Sequence, residues 1–257
     1  MKVATFNANS IRVRLDAVLD WLASNPVDVL AIQETKCEDD KFPRDAFEDV
    51  GLHVAFHGQK TYNGVAIVSP HPIANVRTGF GQADMPDDCR LIYGEVLGLK
   101  VLNSYVPNGS KVGSEKFIYK LHWLSRFRDL CDRSFSSSDP IVWMGDINIA
   151  PKPEDVFDSP SHLGAVGHHP DEFAALEKIV EWGWTDLFRK FTEESGHYTY
   201  WDFFIKNAPQ RKLGWRIDHI YASPVMASKC SGCVIDIEPR LLERPSDHTF
   251  VVAEFDW

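Results

Sequence analysis

The chain has 257 residues, 44% of them hydrophobic, enough for one large core, so residues 1–257 are expected to form a single domain. A formal net charge of −10 argues against a purely electrostatic nucleic-acid binder but not against a metal site, whose carboxylates add to the negative count. Five cysteines, an odd number, follow a starting methionine with no leader-like pattern behind it, and no apolar run approaches membrane-spanning length; a cytoplasmic, monomeric protein with no membrane partner is expected.

Short apolar runs rich in Val and Ile predict strands covered on both faces. The first, over residues 3–6, runs into Phe6-Asn7-Ala8-Asn9. A helix is predicted over about 12–24, with Leu15, Val18, Leu19 and Leu22 on one stripe. A strand over 27–32 then meets Gln33-Glu34-Thr35-Lys36, and another covers 64–68. Residues 91–96 interleave Leu91, Tyr93 and Val96 with Glu95, which predicts one wetter face. The strand over 101–105 enters a turn at Pro107-Asn108-Gly109. A helix over 115–132 places Phe117, Leu121, Leu124 and Cys131 at helical spacing, and a polar connector over 134–140 follows. The strand over 141–144 leads into Gly145-Asp146-Ile147-Asn148. A third helix begins near Pro170 and turns Phe173, Leu176, Ile179 and Val180 inward. Strands over 217–221 and 250–255 complete the set, the last preceded by Ser246-Asp247-His248. Interspersed strands and helices without linker or repeat predict a layered α/β domain. Cys230-Ser231-Gly232-Cys233 reads as a turn with two incidental thiols, because a structural zinc takes about four ligands and no second Cys pair exists.

Four clusters of acid, amide and imidazole thus follow strand-like runs. Carboxylate and carboxamide oxygens suit a hard divalent cation, and an imidazole suits proton transfer or charge stabilisation, which are the parts of a metal-dependent phosphoester hydrolase. Asp146 and Asn148 share a side if the strand continues through them; a polar turn before Pro151 is the plain alternative. Asp247 could bind metal beside His248, and Asp218 could fix the tautomer of His248. His219 competes as the functional histidine, but it must face away from Asp218, and we choose Asp218. Glu34 ends a buried-looking strand and needs a partner, either a metal or a cation such as Lys36. Asn7 could complete a cation shell or cap a turn, and Tyr105 and Asn108 could contact a phosphate.

Phe-Asn-Ala-Asn-Ser-Ile-Arg, Gln-Glu-Thr-Lys, Asn-Ser-Tyr-Val-Pro-Asn-Gly, Gly-Asp-Ile-Asn-Ile-Ala-Pro, Gly-Trp-Arg-Ile-Asp-His and Pro-Ser-Asp-His occur in this order between Asn7 and His248. Together they resemble the motifs of the exonuclease III family of apurinic/apyrimidinic (AP) endonucleases, within the endonuclease/exonuclease/phosphatase superfamily. The resemblance implies a four-layer α/β sandwich, two packed mixed β-sheets flanked by helices. It implies Mg²⁺- or Mn²⁺-dependent cleavage of double-stranded DNA 5′ to abasic sites, with 3′→5′ exonuclease and 3′-phosphatase activity at blocked 3′ ends. By motif, Glu34 is the main metal ligand with Asn7 and Asp247 nearby, and Asp146 and Asn148 also lie within its reach. Asp146 aligns or deprotonates the attacking water, Asn148 holds it or the phosphate, His248 oriented by Asp218 faces the phosphate, and Tyr105 and Asn108 contact it or assist the leaving group.

Among basic residues near these loops (Arg12, Arg14, Lys36, Lys60, Arg90, Lys111, Lys116 and Arg216), Arg90 and Lys111 are the favoured phosphate contacts, against ordinary solvation. Tyr198-Thr199-Tyr200-Trp201 with Trp215 and Ile217 resembles the family's pocket for an extruded abasic sugar, chiefly Tyr200, Trp215 and Ile217; the plain alternative is core. Gly167 is expected to leave that pocket open while His168 or His169 lies aside. A histidine filling it would lower AP cleavage and leave 3′ trimming. The alternatives are therefore a 3′-exonuclease/phosphatase with weak AP activity, another phosphodiesterase acting on lipid or nucleotide substrates, and a catalytically weak binding module.

Overall fold

The computed structural model describes residues 1–81 and 85–257. They form twelve strands and seven α-helices. In chain order they are β1 (Lys2–Asn7), α1 (Ile11–Ser24), β2 (Val29–Gln33), α2 (Arg44–Glu48), β3 (His53–His57), β4 (Val65–Ser69), β5 (Ala74–Thr78), β6 (Leu91–Val96), β7 (Leu99–Tyr105), α3 (Glu115–Ser134), β8 (Ile141–Asp146), α4 (Ser159–His162), α5 (Pro170–Val180), β9 (Thr185–Asp186), α6 (Leu187–Phe191), β10 (Asp218–Ala222), α7 (Pro224–Lys229), β11 (Cys230–Asp236) and β12 (Phe250–Phe255).

Two six-stranded mixed sheets pack face to face, ordered β11-β12-β1-β2-β4-β3 and β5-β6-β7-β8-β10-β9. Each holds one parallel pair, β1–β2 and β7–β8, whose crossover contains a long helix, α1 or α3. Strand parity explains the layering. Val3, Val29, Ala31, Val101, Val142, Met144 and Ile220 meet between the sheets. Their neighbours Ala4, Phe6, Leu30 and Ile32 face outward under Ile11, Val18, Trp21 and Phe47 of α1 and α2. On the other side, Leu102, Ile141 and Trp143 meet Trp123, Phe127, Leu176 and Ile179 of α3 and α5. The result is the expected four-layer sandwich.

The same parity creates the site. Following the inner-face residues of each strand toward one end, the apolar core gives way to a polar rung of Thr5, Gln33 and Asn103. Gln33 Nε2 donates to Thr5 Oγ1 at 2.9 Å and to Asn103 Oδ1 at 2.7 Å, tying the two sheets together. One pleat further stand Asn7, Tyr105, Asp146 and Asp218. In the second sheet Tyr105 pairs with Asp146 and Asp146 with Asp218, a single lateral row.

Several elements differ from expectation. Cys230–Cys233 is no turn but the start of β11, which pairs with β12 through a register shift at Cys230/Gly232. β5 was not anticipated because all five of its residues are exposed, so its sequence lacks the apolar signature of a buried strand. Four helices of six residues or fewer, α2, α4, α6 and α7, were not anticipated either, because they are too short for a helical period to register.

Candidate active site

Asn7 joins the two sheets at the rim: its Nδ2 donates to Glu34 Oε1 and to Asp146 Oδ2, both at 2.9 Å. Glu34 lies just past β2 with φ 51, in the left-handed region. Non-glycine residues rarely adopt it, and such strain clusters at functional sites. Its other oxygen meets Lys36 Nζ at 2.7 Å, so the ion pair weighed for it does form. Asp146 and Asn148 do come together, but not by continued extension. β8 ends at Asp146, Asn148 has φ 54, and Asn148 N donates to Asp146 Oδ1 at 2.9 Å, which is an Asx turn. Asn148 Nδ2 then donates to Val106 O at 2.9 Å, and its Oδ1 accepts from Asn108 Nδ2 at 3.1 Å.

His248 stands opposite. Its Nδ1 donates to Asp218 Oδ2 at 2.8 Å, leaving Nε2 3.8 Å from Asp146 Oδ2. Ser246 fixes this turn, donating from Oγ to Asn7 O at 2.7 Å and accepting from His248 N at 3.2 Å. Thr199 Oγ1 accepts from the backbone N–H groups of Ile217 and Asp218, each at 3.0 Å, and so anchors the start of β10. Neither Ser246 nor Thr199 had been assigned this work.

Electrostatics separates the roles. Burial disfavours a charged His248, but Asp218, Asp146 and Asp247 outweigh it and hold its pKa up, to about 10. With Nδ1 engaged by Asp218, the imidazole suits charge stabilisation, and the carboxylate oxygens are the donors that suit a hard cation. Burial, with Asp218 and Glu34 nearby, pushes Asp146 up to about 8, although His248 and Asn7 pull the other way. Burial beside Glu34 and Asp146 also raises the Tyr105 phenol well above its ordinary value, so it stays a proton donor.

Glu34, Asp146 and His248 bring ligand-capable atoms within 4.8 Å of one another. Glu34 and Asp146 fit a hard divalent cation by donor chemistry. Asp247 is further engaged: Asn9 Nδ2 donates to its Oδ1 at 2.9 Å.

A cleft of about 500 Å³ opens beside the carboxylates. Glu34, Tyr105, Asn108, Asp146, Asn148, Asp247 and His248 form its polar wall, and Tyr200, Trp215, Ile217 and Phe157 its apolar wall. Tyr200 lies against the His248 ring at 5.0 Å. Tyr198 and Trp201 instead enter the core with Ala208, the plain reading of that aromatic run. Gly167 lies on the rim with φ 86, and a Cβ there would come 3.3 Å from Trp215. His168 is turned away, bonded to Ala150 O at 2.7 Å and Ser159 Oγ at 2.8 Å; His169 caps α5 by accepting from Asp171 N. The histidine that does line the cleft is His162, edge-on to Trp215 at 5.1 Å.

The basic residues divide. Arg216 is wholly buried, with Asp155 and Asp186 against its guanidinium at 2.6 and 2.7 Å, and cannot reach DNA. His219 belongs to that network, its Nδ1 accepting from Arg216 at 2.9 Å and its Nε2 donating to Ile149 O. Arg14 is spent on the backbone oxygens of Asn9 and Pro245. Arg90 sits on the Tyr105 ring at 4.7 Å, bonded to Asp88 and to Tyr105 O, so it positions Tyr105. Lys111 is exposed in the turn before α3.

Lys120 was missed. Fully buried, it donates to Glu172 Oε1 at 2.5 Å, Asn148 O at 2.7 Å and Asn108 O at 3.2 Å. Glu172 Oε2 accepts from Gly167 N at 2.7 Å, so one buried pair holds three loops of the cleft. The signal was present: Lys120 shares the stripe of Phe117 and Leu124, and Glu172 that of Leu176 and Ile179.

A two-sheet sandwich with carboxylates, carboxamides and an acid-held imidazole on one rim defines a phosphoester-hydrolase architecture. The profile of the Endonuclease/Exonuclease/phosphatase family matches residues 4–248. The exodeoxyribonuclease III of Haemophilus influenzae is 31% identical over 266 residues, covering 99% of this chain and all of that one. An AP endonuclease structure from Archaeoglobus fulgidus superposes with TM-score 0.97 at 43% identity, and the 3′ phosphatase NExo from Neisseria, bound to a product DNA hairpin, with 0.95 at 40%; both cover 100% of each chain. The chain belongs to the Endonuclease/Exonuclease/phosphatase family. Within it, the exonuclease III-type resemblance of the motifs holds over the whole chain.

Proposed function

We propose that this cleft cuts double-stranded DNA on the 5′ side of an abasic site and also trims blocked 3′ ends, with Mg²⁺ or Mn²⁺ as the metal. One arrangement carries the reading: a carboxylate cluster beside an aromatic-walled cleft whose rim, at Gly167, has no side chain. Such a cleft admits a flipped sugar without a base and rejects a full nucleotide by shape.

Glu34 and Asp146 would hold the cation, with Asn7 fixing their carboxylates and Asp247 nearby. Bound there, the cation supplies neutralisation of charge developing on the phosphate. Asp146, its Oδ2 held by Asn7 Nδ2 at 2.9 Å and facing His248 Nε2 at 3.8 Å, would align the attacking water and take its proton. Asn148 holds the water or phosphate, and Asn108 steadies Asn148. His248, charged through Asp218, faces the scissile phosphate. Tyr105, kept protonated, donates to the phosphate or leaving oxygen. The reading goes with a monomer in the cytoplasm; all five cysteines are unbridged and buried.

His162 favours a second reading, a 3′-phosphatase with weak abasic activity, because its imidazole stands in the cleft. kcat/KM on an abasic duplex and on a 3′-phosphate duplex separates the two. If the cleft takes abasic sugars, Gly167→His lowers the first at least about tenfold and spares the second, and His162→Ala leaves the ratio within about threefold; tenfold corresponds to 1.4 kcal/mol of transition-state binding. A rise of more than tenfold in abasic cleavage on His162→Ala would support the second reading instead.

A further inference from the structure

A second group of ligand-capable side chains lies outside the catalytic cluster. His57, the last residue of β3, and Asp87 and Cys89, on the loop before β6, bring an imidazole nitrogen, a carboxylate oxygen and a sulfur all within 4.8 Å of one another. None of the three lines the catalytic cleft. His57 Nε2 and Asp87 Oδ1 are 2.8 Å apart, and the same oxygen accepts from Cys89 N at 3.4 Å.

The backbone is held for this. Cys89 has φ 54, a left-handed conformation that cysteine seldom adopts, and its carbonyl accepts from Gly64 N at 3.0 Å. The sulfur is buried while Asp87 and the edge of His57 reach solvent, so an ion has an entry path. The charge balance is negative. Asp88 is matched by Arg90 at 2.6 Å, but Asp87 has no arginine or lysine within ion-pair distance among the described residues.

One nitrogen, one oxygen and one sulfur make a mixed donor set. It suits a borderline, thiophilic cation rather than the hard cation that the oxygens of Glu34 and Asp146 suit. We propose that His57, Asp87 and Cys89 form a second metal site, for a divalent cation of the Zn²⁺ class, with its fourth position open to water. Binding forms the metal–sulfur bond and releases the thiol proton to solvent. An occupied site would clamp the loop carrying Asp88 and Arg90 to β3. Asp88 holds Arg90 and Tyr119, and Arg90 lies on Tyr105, so the clamp would stiffen one wall of the catalytic cleft.

The plain alternative is a surface His–Asp pair with a buried thiol beside it. Co²⁺ distinguishes them, because a cobalt–thiolate bond gives near-ultraviolet charge-transfer absorbance and an oxygen-ligated catalytic ion does not. The full chain, stripped with EDTA and exchanged into chelator-free buffer, is titrated with Co²⁺ alone. The site requires the band to saturate near one equivalent, to persist in Glu34→Gln and to disappear on adding Zn²⁺. It requires the band to vanish in Cys89→Ser and the apparent affinity to fall at least about tenfold in His57→Gln, as loss of a ligand or its support does. Absence of the band in the wild type, or a band unchanged in Cys89→Ser, overturns the proposal. Should Cys89→Ser fail to fold by circular dichroism, His57→Gln, on a partly exposed side chain, decides alone.

Discussion

Glu172→Gln is the perturbation whose cost follows most directly from the structure. Lys120 and Glu172 are both fully buried, 2.5 Å apart, and Lys120 Nζ has no solvent to turn to. Glutamine keeps the shape and an acceptor for Gly167 N but leaves the ammonium unpaired. Breaking a buried pair on one side costs about 3–5 kcal/mol. The ceiling comes from escape by deprotonation: bringing a lysine from an unperturbed pKa near 10.4 to neutrality at pH 7 costs roughly 3.4 units at 1.36 kcal/mol each, about 4.6 kcal/mol. The two figures agree. Burial lowers the Lys120 pKa even with Glu172 present, and without it the lowering deepens. A folded-state pKa below the unfolded value means that the unfolded chain binds the extra proton, so the deficit is fullest well below the folded pKa and shrinks as pH rises toward 10. Urea melts of both proteins at pH 7 and pH 9.5 measure it. For a chain of this size the pH 7 loss corresponds to a fall in Tm of about 6–20 °C. A deficit under about 1 kcal/mol, or one independent of pH, would refute the claim that this pair is desolvated and charged.

Other consequences can be checked in parallel. Asp218→Asn should lower kcat by about 10²–10⁴ and move the alkaline limb of its pH profile toward neutrality, because the carboxylate that keeps His248 charged is gone; an unmoved limb would assign Asp218 a merely structural role. Burial would raise Asp155 and Asp186, but Arg216 outweighs it and holds both below the usual carboxylate range. Their stabilisation is therefore full above about pH 4 and is lost as pH falls below it, and Arg216→Met should flatten that acid limb in thermal melts. Tyr105→Phe should reduce turnover more than substrate affinity, because it removes a donor and leaves the ring under Arg90 in place; steady-state kcat and KM measured separately test this.

The layers were legible because parity and helical stripes are local: Val3 to Phe6 already alternates between two hydrophobic environments, and each buried strand carries its own apolar signature. The site was legible for a related reason, since each functional group continues the inner-face parity of its strand by one pleat. What the sequence hid depends on partners distant along the chain. Arg216 looks like any cation beside a loop until Asp155 and Asp186 arrive against it. Nothing local says that His162, and not His168, faces the cleft; that follows from bonds to Ala150 and Ser159. Left-handed backbone at Glu34 and Asn148 was likewise invisible, because a strand is expected to end by turning, not by strain.

On the reading proposed above, Glu34 and Asp146 build a metal-dependent centre for cutting DNA at an abasic site. An end-labelled duplex carrying one tetrahydrofuran abasic analogue, incubated with Mg²⁺ and with EDTA, tests it most directly. A single cut immediately 5′ of the analogue is expected, present only with Mg²⁺ and lost in Asp146→Asn. An intact duplex under conditions where 3′ ends are trimmed would contradict the abasic reading, and cleavage that survives Asp146→Asn would contradict the chemistry assigned to this site.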